Sequence, residues 1–397
     1  MPKISVPDLL DQIPAPLLTQ IGADTGVDHS VQKLHGRTIL QLLCYAMVRS
    51  TRLSTRLLEH FYNSAFFGLF SSKVAGHKTK HSSLASRLTT IPAEYFERLL
   101  SWAFEHYADL LRHHDKLRHL KRYDSTMVAI SSALVNWGMS VGSIPKDRPR
   151  TVQLKVTLGL QGLFPKEVRI YHEQPYLSEQ RALREAIEHS THDDDEIVCF
   201  DRGLSDRSTF QSFDKQGVKF VTRGSKDLRY QLVRHQKSLP KAKSGVRITR
   251  DATVYLYGSG QDLVEHELRL VEIAVTQDDG SEKRFSFITN IEDLDAHEIA
   301  EVYRHRWDIE VFFRFIKQEL NLKHLINRSL NGVRVQVYVS LLVALLLTVY
   351  KVKNKLKGYK LVKLQFEEEL LVHLTNLQNQ SARLVQQPTA AVQQHPI

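Results

Sequence analysis

The 397-residue sequence contains only two cysteines, Cys44 and Cys199. Two cysteines that lie among apolar residues form neither a disulfide framework nor the paired spacing of a zinc site. The histidines show no ligand spacing either. We therefore expect two core cysteines, a reducing compartment and no zinc site.

The sequence also lacks a hydrophobic run that is long enough to cross a bilayer, which requires roughly 20 apolar residues. Its most apolar stretch, Val337 to Tyr350, is shorter and is followed directly by lysine, so a buried core helix is expected there. In residues 1–12, prolines and aspartates occupy the place of the apolar segment of a cleavable signal. The prediction is a cytoplasmic protein with no membrane partner.

Acidic residues are fewer than basic ones, with 44 Asp plus Glu against 54 Lys plus Arg and a formal net charge of +10. The hydrophobic share of 42% and the charged share of 25% are ordinary for a folded globular protein. An excess of cations on such a protein favours polyanionic partners. Nucleic acid is the leading candidate.

The length of the chain predicts two or three domains. Residues 1–115 carry apolar residues at helical spacing, which predicts an N-terminal helical domain. Its basic residues favour DNA binding, and a solvated helix surface is the alternative interpretation. These residues include Arg37, Arg49, Arg52, Arg56, Lys73, Lys78, Lys80, Arg87 and Arg98.

Residues 116–350 are predicted to form a catalytic α/β domain, because short β-type runs alternate with helical ones. Turn-bounded segments at about 224–290 carry no helical signal and predict an inserted β subdomain. Residues 351–397 are expected to form a basic helix end and then, beyond about residue 376, a disordered Gln-rich tail. The lysines of this last region fit a solvated helix end as well as they fit DNA contact.

Two aspartates stand where an α/β fold places functional groups. Asp124 lies within the first predicted strand, Leu120 to Ile130, and Asp201 ends the buried run Ile197 to Phe200. The carboxyl ends of strands commonly bind ligands in such folds. Because Arg202 and Gly203 follow, the chain is able to turn sharply after Asp201.

A third acid lies in a run that predicts one continuous helix from about Asp295 to Leu320. Asp295 and Glu298 fit a capping box at its start. At 100° per residue, four reactive side chains share an arc of about 60° on this helix. They are Tyr303, Arg306, Glu310 and Lys317.

Asp124, Asp201 and Glu310 make a set of three carboxylates. Converging carboxylates repel one another unless a cation neutralises them, and oxygen ligands select hard ions such as Mg²⁺ or Mn²⁺. Such a set predicts a two-metal centre for phosphoryl transfer. Taken one at a time, the residues also fit ordinary surface acids and a surface ion pair.

Together these motifs resemble a DDE transposase of the insertion-sequence-four type, from about residue 10 to residue 350. The resemblance rests on the Asp124-Ser125-Thr126 strand, the Asp201-Arg202-Gly203 turn and the helix with its Tyr-Arg-Glu-Lys signature. It implies an RNase H-like fold, a mixed sheet flanked by helices with an inserted β subdomain and an N-terminal helical domain.

The resemblance also implies roles for the site residues. Asp124 and Asp201 would bridge two divalent metals, Mg²⁺ with Mn²⁺ as a substitute, and Glu310 would complete the second metal site. Tyr303, Arg306 and Lys317 would contact DNA phosphates at the element end. The implied partners are double-stranded DNA, as terminal inverted repeats and target, and a second copy of the chain. The implied setting is the bacterial nucleoid.

The function expected from these features is cut-and-paste transposition of an insertion sequence. One alternative is a structure-specific nuclease on the same fold that cuts without joining. Another is a catalytically inactive derivative that only binds DNA.

Overall fold

In the computed structural model of the protein, the described residues are 3–74, 76–112, 119–130, 138–140, 152–235, 239–243, 245–258, 263–320, 322 and 325–386. The chain divides into two compact units. One contains Met1–Tyr107 together with Phe315–Ile397, and the other contains Ala108–Arg314. They are called the helical unit and the sheet unit below.

Helices make up the helical unit. Their bounds are α1 Val6–Asp11, α2 Ala15–Thr25, α3 Gly36–Arg49, α4 Thr55–Asn63, α5 Ala65–Phe70, α6 His81–Thr90, α7 Ala93–Arg112, α12 Leu330–Lys353 and α13 Tyr359–Gln386. In α12, 94% of the most apolar 18-residue window is buried within the protein. A helix that is apolar on all sides belongs in a core. The buried helix expected at Val337 to Tyr350 is therefore present.

The C-terminal segment differs from the expectation of a disordered tail. Helix α13 continues through residues 376–386, and only residues 387–397 of the expected tail lie outside the described residues. Val362, Phe366, Leu370 and Leu374 recur every four residues, and all four are buried. This apolar stripe anchors the helix, and the sequence analysis did not recognise it because the glutamines that follow dominate the composition.

The sheet unit contains a mixed sheet of ten strands flanked by helices, as the sequence predicts for its fold class. The strands are β1 Leu120–Ile130, β2 Met139–Ser140, β3 Val152–Gln161, β4 Phe164–Tyr171, β5 Ile197–Phe200, β6 Lys219–Arg223, β7 Tyr230–His235, β8 Val246–Tyr257, β9 Leu263–Thr276 and β10 Glu282–Thr289. Their order is β2-β3-β1-β5-β6-β10-β9-β8-β7, and β4 also pairs with β3. Strands β1, β5 and β6 are mutually parallel, and the other pairings are antiparallel.

The segment predicted to form an inserted β subdomain continues this sheet. Strand β10 pairs with β6, so β7 to β10 continue from the parallel centre. Strand β7 has little burial and no clear alternation, which explains why its sequence gave no strand signal.

Helices lie on both faces of the sheet. They are α8 Glu179–Glu188, α9 Arg207–Lys215, α10 Ala296–Arg304 and the first part of α11 Trp307–Glu319. Because side chains alternate along a strand, Val198 and Phe200 of β5 join the core beneath α8 and α9, whereas Cys199 joins the core beneath α10. Strand β5 is thus buried on both faces.

Arg269 of β9 connects the sheet to the start of α10. Its guanidinium makes two 2.8 Å hydrogen bonds to the buried carboxylate of Asp251. It also donates to the carbonyl oxygens of Ile291, Glu292 and Leu294, in the loop that leads into α10. The position of α10 therefore depends on a buried ion pair.

We predict that Arg269→Met lowers the free energy of unfolding by about 3 kcal/mol or more, because it leaves the Asp251 carboxylate buried without its cation. Urea unfolding followed by circular dichroism measures the change. Arg247→Met is the matched control, since the Arg247–Glu282 pair has side chains 53% and 41% exposed. It should cost less than about 1 kcal/mol. Equal losses in the two variants would contradict the assigned role of Arg269.

Candidate active site

Asp124 and Asp201 meet at one edge of the sheet. Strand β1 runs parallel to β5 with Tyr123 opposite Phe200, so the next residue of each chain segment is an aspartate. Neighbouring strands lie about 4.8 Å apart. The alternation of side chains directs both aspartates towards the face that α10 covers. The structure thus brings together two of the acids identified in the sequence.

Asp124 is a partly buried carboxyl with a strongly raised pKa. Burial raises its pKa from 3.8 to about 7. The backbone N–H of Ser125, which donates to Asp124 Oδ1 at 2.8 Å, and the nearby Arg306 act in the opposite direction. Asp201 and Glu179 raise the pKa further. Ionising Asp124 therefore costs free energy that a cation close to it would recover.

Asp201 sits in a tight turn after β5. Its Oδ1 accepts a 2.5 Å hydrogen bond from the backbone N–H of Gly203. A Cβ atom at position 203 would lie 2.8 Å from Asp201 Oδ1 and 2.7 Å from Glu179 Cγ. A side chain at position 203 would therefore collide with the Asp201 carboxylate and with the stem of Glu179.

The sequence analysis missed Glu179, the first residue of α8. Its carboxylate lies 3.9 Å from the Nζ of the buried Lys155. Burial raises the pKa of Glu179, Lys155 lowers it, and Asp201 raises it again. An acid in the first turn of a helix is common for helix-dipole reasons, so the sequence alone gave no signal of its position.

The expected continuous helix from Asp295 to Leu320 is interrupted. Helix α10 ends at Arg304 and α11 begins at Trp307. At this break the α-helical hydrogen bonds are replaced by shorter-range ones, in which the N–H groups of residues 306, 308 and 309 donate to the carbonyl three residues earlier. The capping box of Asp295 and Glu298 is present at the start. Neither proline nor glycine occurs at the break, so the local sequence gave no sign of it.

The break distributes the Tyr-Arg-Glu-Lys residues over three segments. Tyr303 lies in α10, Arg306 lies in the turn, and Glu310 lies in the first turn of α11. Lys317 lies in the last turn of α11, in the part of the chain that belongs to the helical unit. The four residues therefore do not lie on one continuous helix, as the sequence predicted they would.

Arg306 is the centre of the cationic side of the site. It is only 9% exposed, its guanidinium donates to Glu310, and it lies 5.6 Å from the centre of the Tyr303 ring. Its Nε is buried and has no hydrogen-bond partner within the described part of the chain. Arg306 therefore contacts both Glu310 and Tyr303, and its positive charge lowers the pKa of Asp124.

Tyr303 keeps its phenolic proton at neutral pH. Burial raises the pKa of Tyr303 to about 12, and Arg306 acts in the opposite direction. Its ring also lies 5.0 Å from the ring of Phe287 in β10. A protonated phenol is a hydrogen-bond donor, which suits an anionic ligand.

Glu310 accepts a hydrogen bond from Arg306, and among the described residues it has no direct contact with either aspartate. Within the described ranges, no group of three or more His, Cys, Asp or Glu residues is arranged to hold a metal ion. The structure therefore places Glu179 beside the turn that holds Asp201, and it joins Glu310 to the guanidinium of Arg306.

Comparison with known proteins identifies the family of this chain. The family described as the transposase DDE domain matches residues 123–346, more than half of the chain, so the chain belongs to this family. The match begins one residue before Asp124 and includes Asp201 and Glu310.

Curated relatives carry the same description. Transposase y4zB of Sinorhizobium fredii is 28% identical over 157 residues, which is 40% of this chain and 43% of that protein. The transposase for insertion sequence element IS4SA of Synechocystis is 25% identical over 185 residues, 43% of this chain and 53% of that protein. The chain thus spans about half the length of these relatives. Among solved structures, a cryo-EM structure of the piggyBac transposase synaptic complex with hairpin DNA matches 96% of this chain and 80% of that one, at 9% sequence identity. The TM-score of this match is 0.43, a value that is too low to define a shared fold.

Membership of this family implies a dependence on divalent metal ions. Asp124 and Asp201 offer only oxygen ligands, the donor type that such an ion prefers, but within the described residues they belong to no group of three acids that could hold it. Burial is the main cause of the raised pKa of Asp124, and a cation close by would favour its ionised form.

We predict that Asp124→Asn stabilises the protein in EDTA at pH 8. The raised pKa means that the folded state favours the protonated carboxyl, so the wild type loses stability as pH rises from about 4 to about 7, whereas asparagine does not titrate. At about 1.4 kcal/mol per pKa unit the gain is at most roughly 4 kcal/mol. Thermal unfolding at pH 4 to pH 8 measures it.

The exposed Asp227 provides the control, and Asp227→Asn should leave the pH dependence of unfolding as it is in the wild type. If the advantage of Asp124→Asn were the same at pH 4 and pH 8, the burial of an ionisable carboxyl would not be its cause.

Proposed function

We propose that the protein is a DNA transposase that cleaves the ends of an insertion sequence and joins them to target DNA. The observation that carries the proposal is the pair of aspartates at the ends of two parallel strands, in a chain that belongs to the transposase DDE domain family. Curated relatives described as transposases support it.

Within that class, we assign the protein to the insertion-sequence-four type with an RNase H-like catalytic core. The Tyr-Arg-Glu-Lys signature supports this assignment. The parallel strands β1, β5 and β6, each adjacent to the next, support the core.

The proposed metal ligands are Asp124, Asp201 and Glu310, with two Mg²⁺ ions, or Mn²⁺ as a substitute. When bound, such ions activate the attacking oxygen and neutralise charge on the leaving oxygen of a phosphodiester. For Glu310 to serve, it must exchange the guanidinium of Arg306 for a cation. A DNA phosphate offers Arg306 an alternative anionic partner, so DNA and metal would favour the same rearrangement.

The chain's own residues then bind and orient DNA. Arg306 provides a forked donor for phosphate, Tyr303 donates from a phenol that stays protonated, and Lys317 supplies a point charge. The buried position of Arg306 limits its motion, so a phosphate held there would be well oriented.

DNA contact by the helical unit is a further part of the proposal, now with a smaller set of residues. Arg49, Lys73, Arg87 and Arg98 already bind carboxylates or carbonyl oxygens within that unit. The basic side chains that remain exposed are Arg37, Arg52, Arg56, Lys78 and Lys80. These exposed residues are the proposed contacts with the DNA backbone.

The proposed assembly is a homodimer that joins two element ends on double-stranded DNA. Its proposed location is the bacterial cytoplasm, in association with the nucleoid.

The experiment that tests the proposal is cleavage and strand transfer on DNA that carries the gene's own flanks. We predict that Glu310→Gln reduces cleavage by more than about 100-fold in Mg²⁺ or Mn²⁺, because it removes a metal ligand. Binding to the flanks, measured by gel shift, should stay close to that of the wild type. EDTA should abolish cleavage by the wild type.

Glu301→Gln is the matched control, since Glu301 forms a surface pair with Arg304 in the adjacent helix, and this variant should retain activity. Cleavage without joined products would favour a nuclease. Specific binding without cleavage in any metal would favour an inactive DNA-binding derivative. Full cleavage by Glu310→Gln would contradict the assignment of the third acid.

A further inference from the structure

Arg223 ends strand β6 at the same edge of the sheet as Asp201. Strand β6 runs parallel to β5 with Thr222 opposite Phe200, so the next residues of the two chain segments are Arg223 and Asp201. Neighbouring strands lie about 4.8 Å apart. Val221, two residues before Arg223, belongs to the core beneath α10, so the alternation of side chains directs Arg223 to the face of Asp201. An arginine therefore follows the two aspartates along this edge.

The guanidinium of Arg223 is held against an aromatic ring. Its Cζ lies 4.8 Å from the centre of the Phe285 ring, over the ring face. The two strands are also joined just beyond Arg223, because the N–H of Gly224 donates to the carbonyl oxygen of Ser286 at 2.9 Å. The attraction between a guanidinium and a ring orients the cation but uses none of its N–H donors. The side chain of Arg223 is thus positioned while its donors stay available.

A second cation shares this ring. Lys283 lies two residues before Phe285 on the same face of β10, it is exposed, and its Nζ lies 5.5 Å from the ring centre. Among the residues that the structure describes, neither Arg223 nor Lys283 has a hydrogen bond or an ion pair with an acid. Two cations at one ring repel each other, and an anion bound between them would offset the repulsion.

A row of three aromatic rings connects Arg223 to the cationic side of the candidate active site. The ring of Phe285 lies 6.5 Å from that of Phe287, which in turn lies 5.0 Å from the ring of Tyr303. Arg306 rests on Tyr303 at the far end of the row, as Arg223 rests on Phe285 at the near end. Because these rings pack in or against the core beneath α10, the fold sets the spacing of the two guanidinium groups.

A DNA strand that lies along the edge of the sheet is the ligand that fits this arrangement. Phosphates follow one another along a strand, and a guanidinium binds a phosphate through two parallel N–H bonds. The alternative is that Arg223 only covers the Phe285 ring from water, as long basic side chains do. That role accounts for the contact with the ring, but it leaves the repulsion between Arg223 and Lys283 without compensation.

We propose that Arg223, oriented by the Phe285 ring, binds a phosphate of the DNA strand beside the bond that is cleaved. Lys283 contacts the same strand further from that bond. This inference rests on the proposed function, and it adds phosphate contacts from β6 and β10 to those proposed for the residues of the Tyr-Arg-Glu-Lys signature. All of the residues that carry it lie in the sheet unit.

The test is DNA binding by the full chain as a function of salt concentration. Fluorescence anisotropy follows a labelled duplex that carries the gene's own flanks, with EDTA present so that no cleavage occurs. Each phosphate contact that is lost reduces the slope of log affinity against log salt by about 0.9. Arg223→Met should therefore weaken binding about 10-fold at low salt and reduce this slope by about 0.9, because methionine covers the ring without a charge. Lys283→Met should reduce the slope by a similar amount.

Arg284→Met is the matched control. Arg284 lies between Lys283 and Phe285 in β10, it is exposed, and it is directed to the opposite face of the sheet. This variant should keep the affinity and the salt slope of the wild type. Phe285→Leu keeps every charge and removes the ring, so it should weaken binding by about 3-fold with the slope unchanged. Circular dichroism establishes that each variant is folded.

Uncharged methylphosphonate groups locate the phosphate that Arg223 binds. They replace one phosphate at a time on either side of the cleavage site. At one position the replacement should weaken binding by the wild type but not by Arg223→Met, because that variant has already lost the contact.

The outcomes separate this inference from the proposed function. If the wild type binds and cleaves its flanks while Arg223→Met keeps the affinity and the slope, the role of Arg223 is refuted and the proposed function stands. Equal losses in Arg223→Met and Arg284→Met would indicate general electrostatic attraction and would also overturn the inference. If the wild type neither binds nor cleaves its flanks, the proposed function is refuted, and the role of Arg223 with it.

Discussion

The parallel pairing of β1 with β5 is the constraint from which the site follows. With Tyr123 opposite Phe200, the next residues are Asp124 and Asp201, and a shift of one residue would place them on opposite faces of the sheet. Burial on both faces of β5 enforces this register, because Val198 and Phe200 are needed in one core and Cys199 in the other. The position of the two aspartates is thus a consequence of core packing.

Placing carboxylates at this edge has an electrostatic cost, and two nearby basic residues each offset a part of it. Lys155 lies on the α8 side beside Glu179, and Arg306 lies on the α10 side beside Asp124 and Glu310. Both cations are almost completely buried. The site therefore contains an arrangement of charges that is only partly neutralised by the protein itself.

The sequence predicted the strands well and the helix of the third acid poorly, for physical reasons that can be named. Strand β5 was predicted at Ile197 to Phe200 because a short apolar run between polar turns has few other interpretations. The break at His305 and Arg306 was missed because neither proline nor glycine marks it, and the burial of Arg306 is a tertiary feature that the local sequence does not show. Glu179 was missed because its significance arises only when α8 and the turn at Gly203 meet.

The break between α10 and α11 has a consequence for how the site responds to ligands. On one continuous helix, Arg306 and Glu310 would form an ordinary exposed pair of small energetic value. In the observed turn, Arg306 is buried, whereas its partner Glu310 keeps a side chain that is 30% exposed. In the proposed function, the guanidinium of Arg306 and a divalent cation would compete for the Glu310 carboxylate, so the cation would gain most when a phosphate accepts the guanidinium. DNA binding and metal binding would then be coupled through one side chain, and such a coupling is reciprocal by thermodynamic necessity.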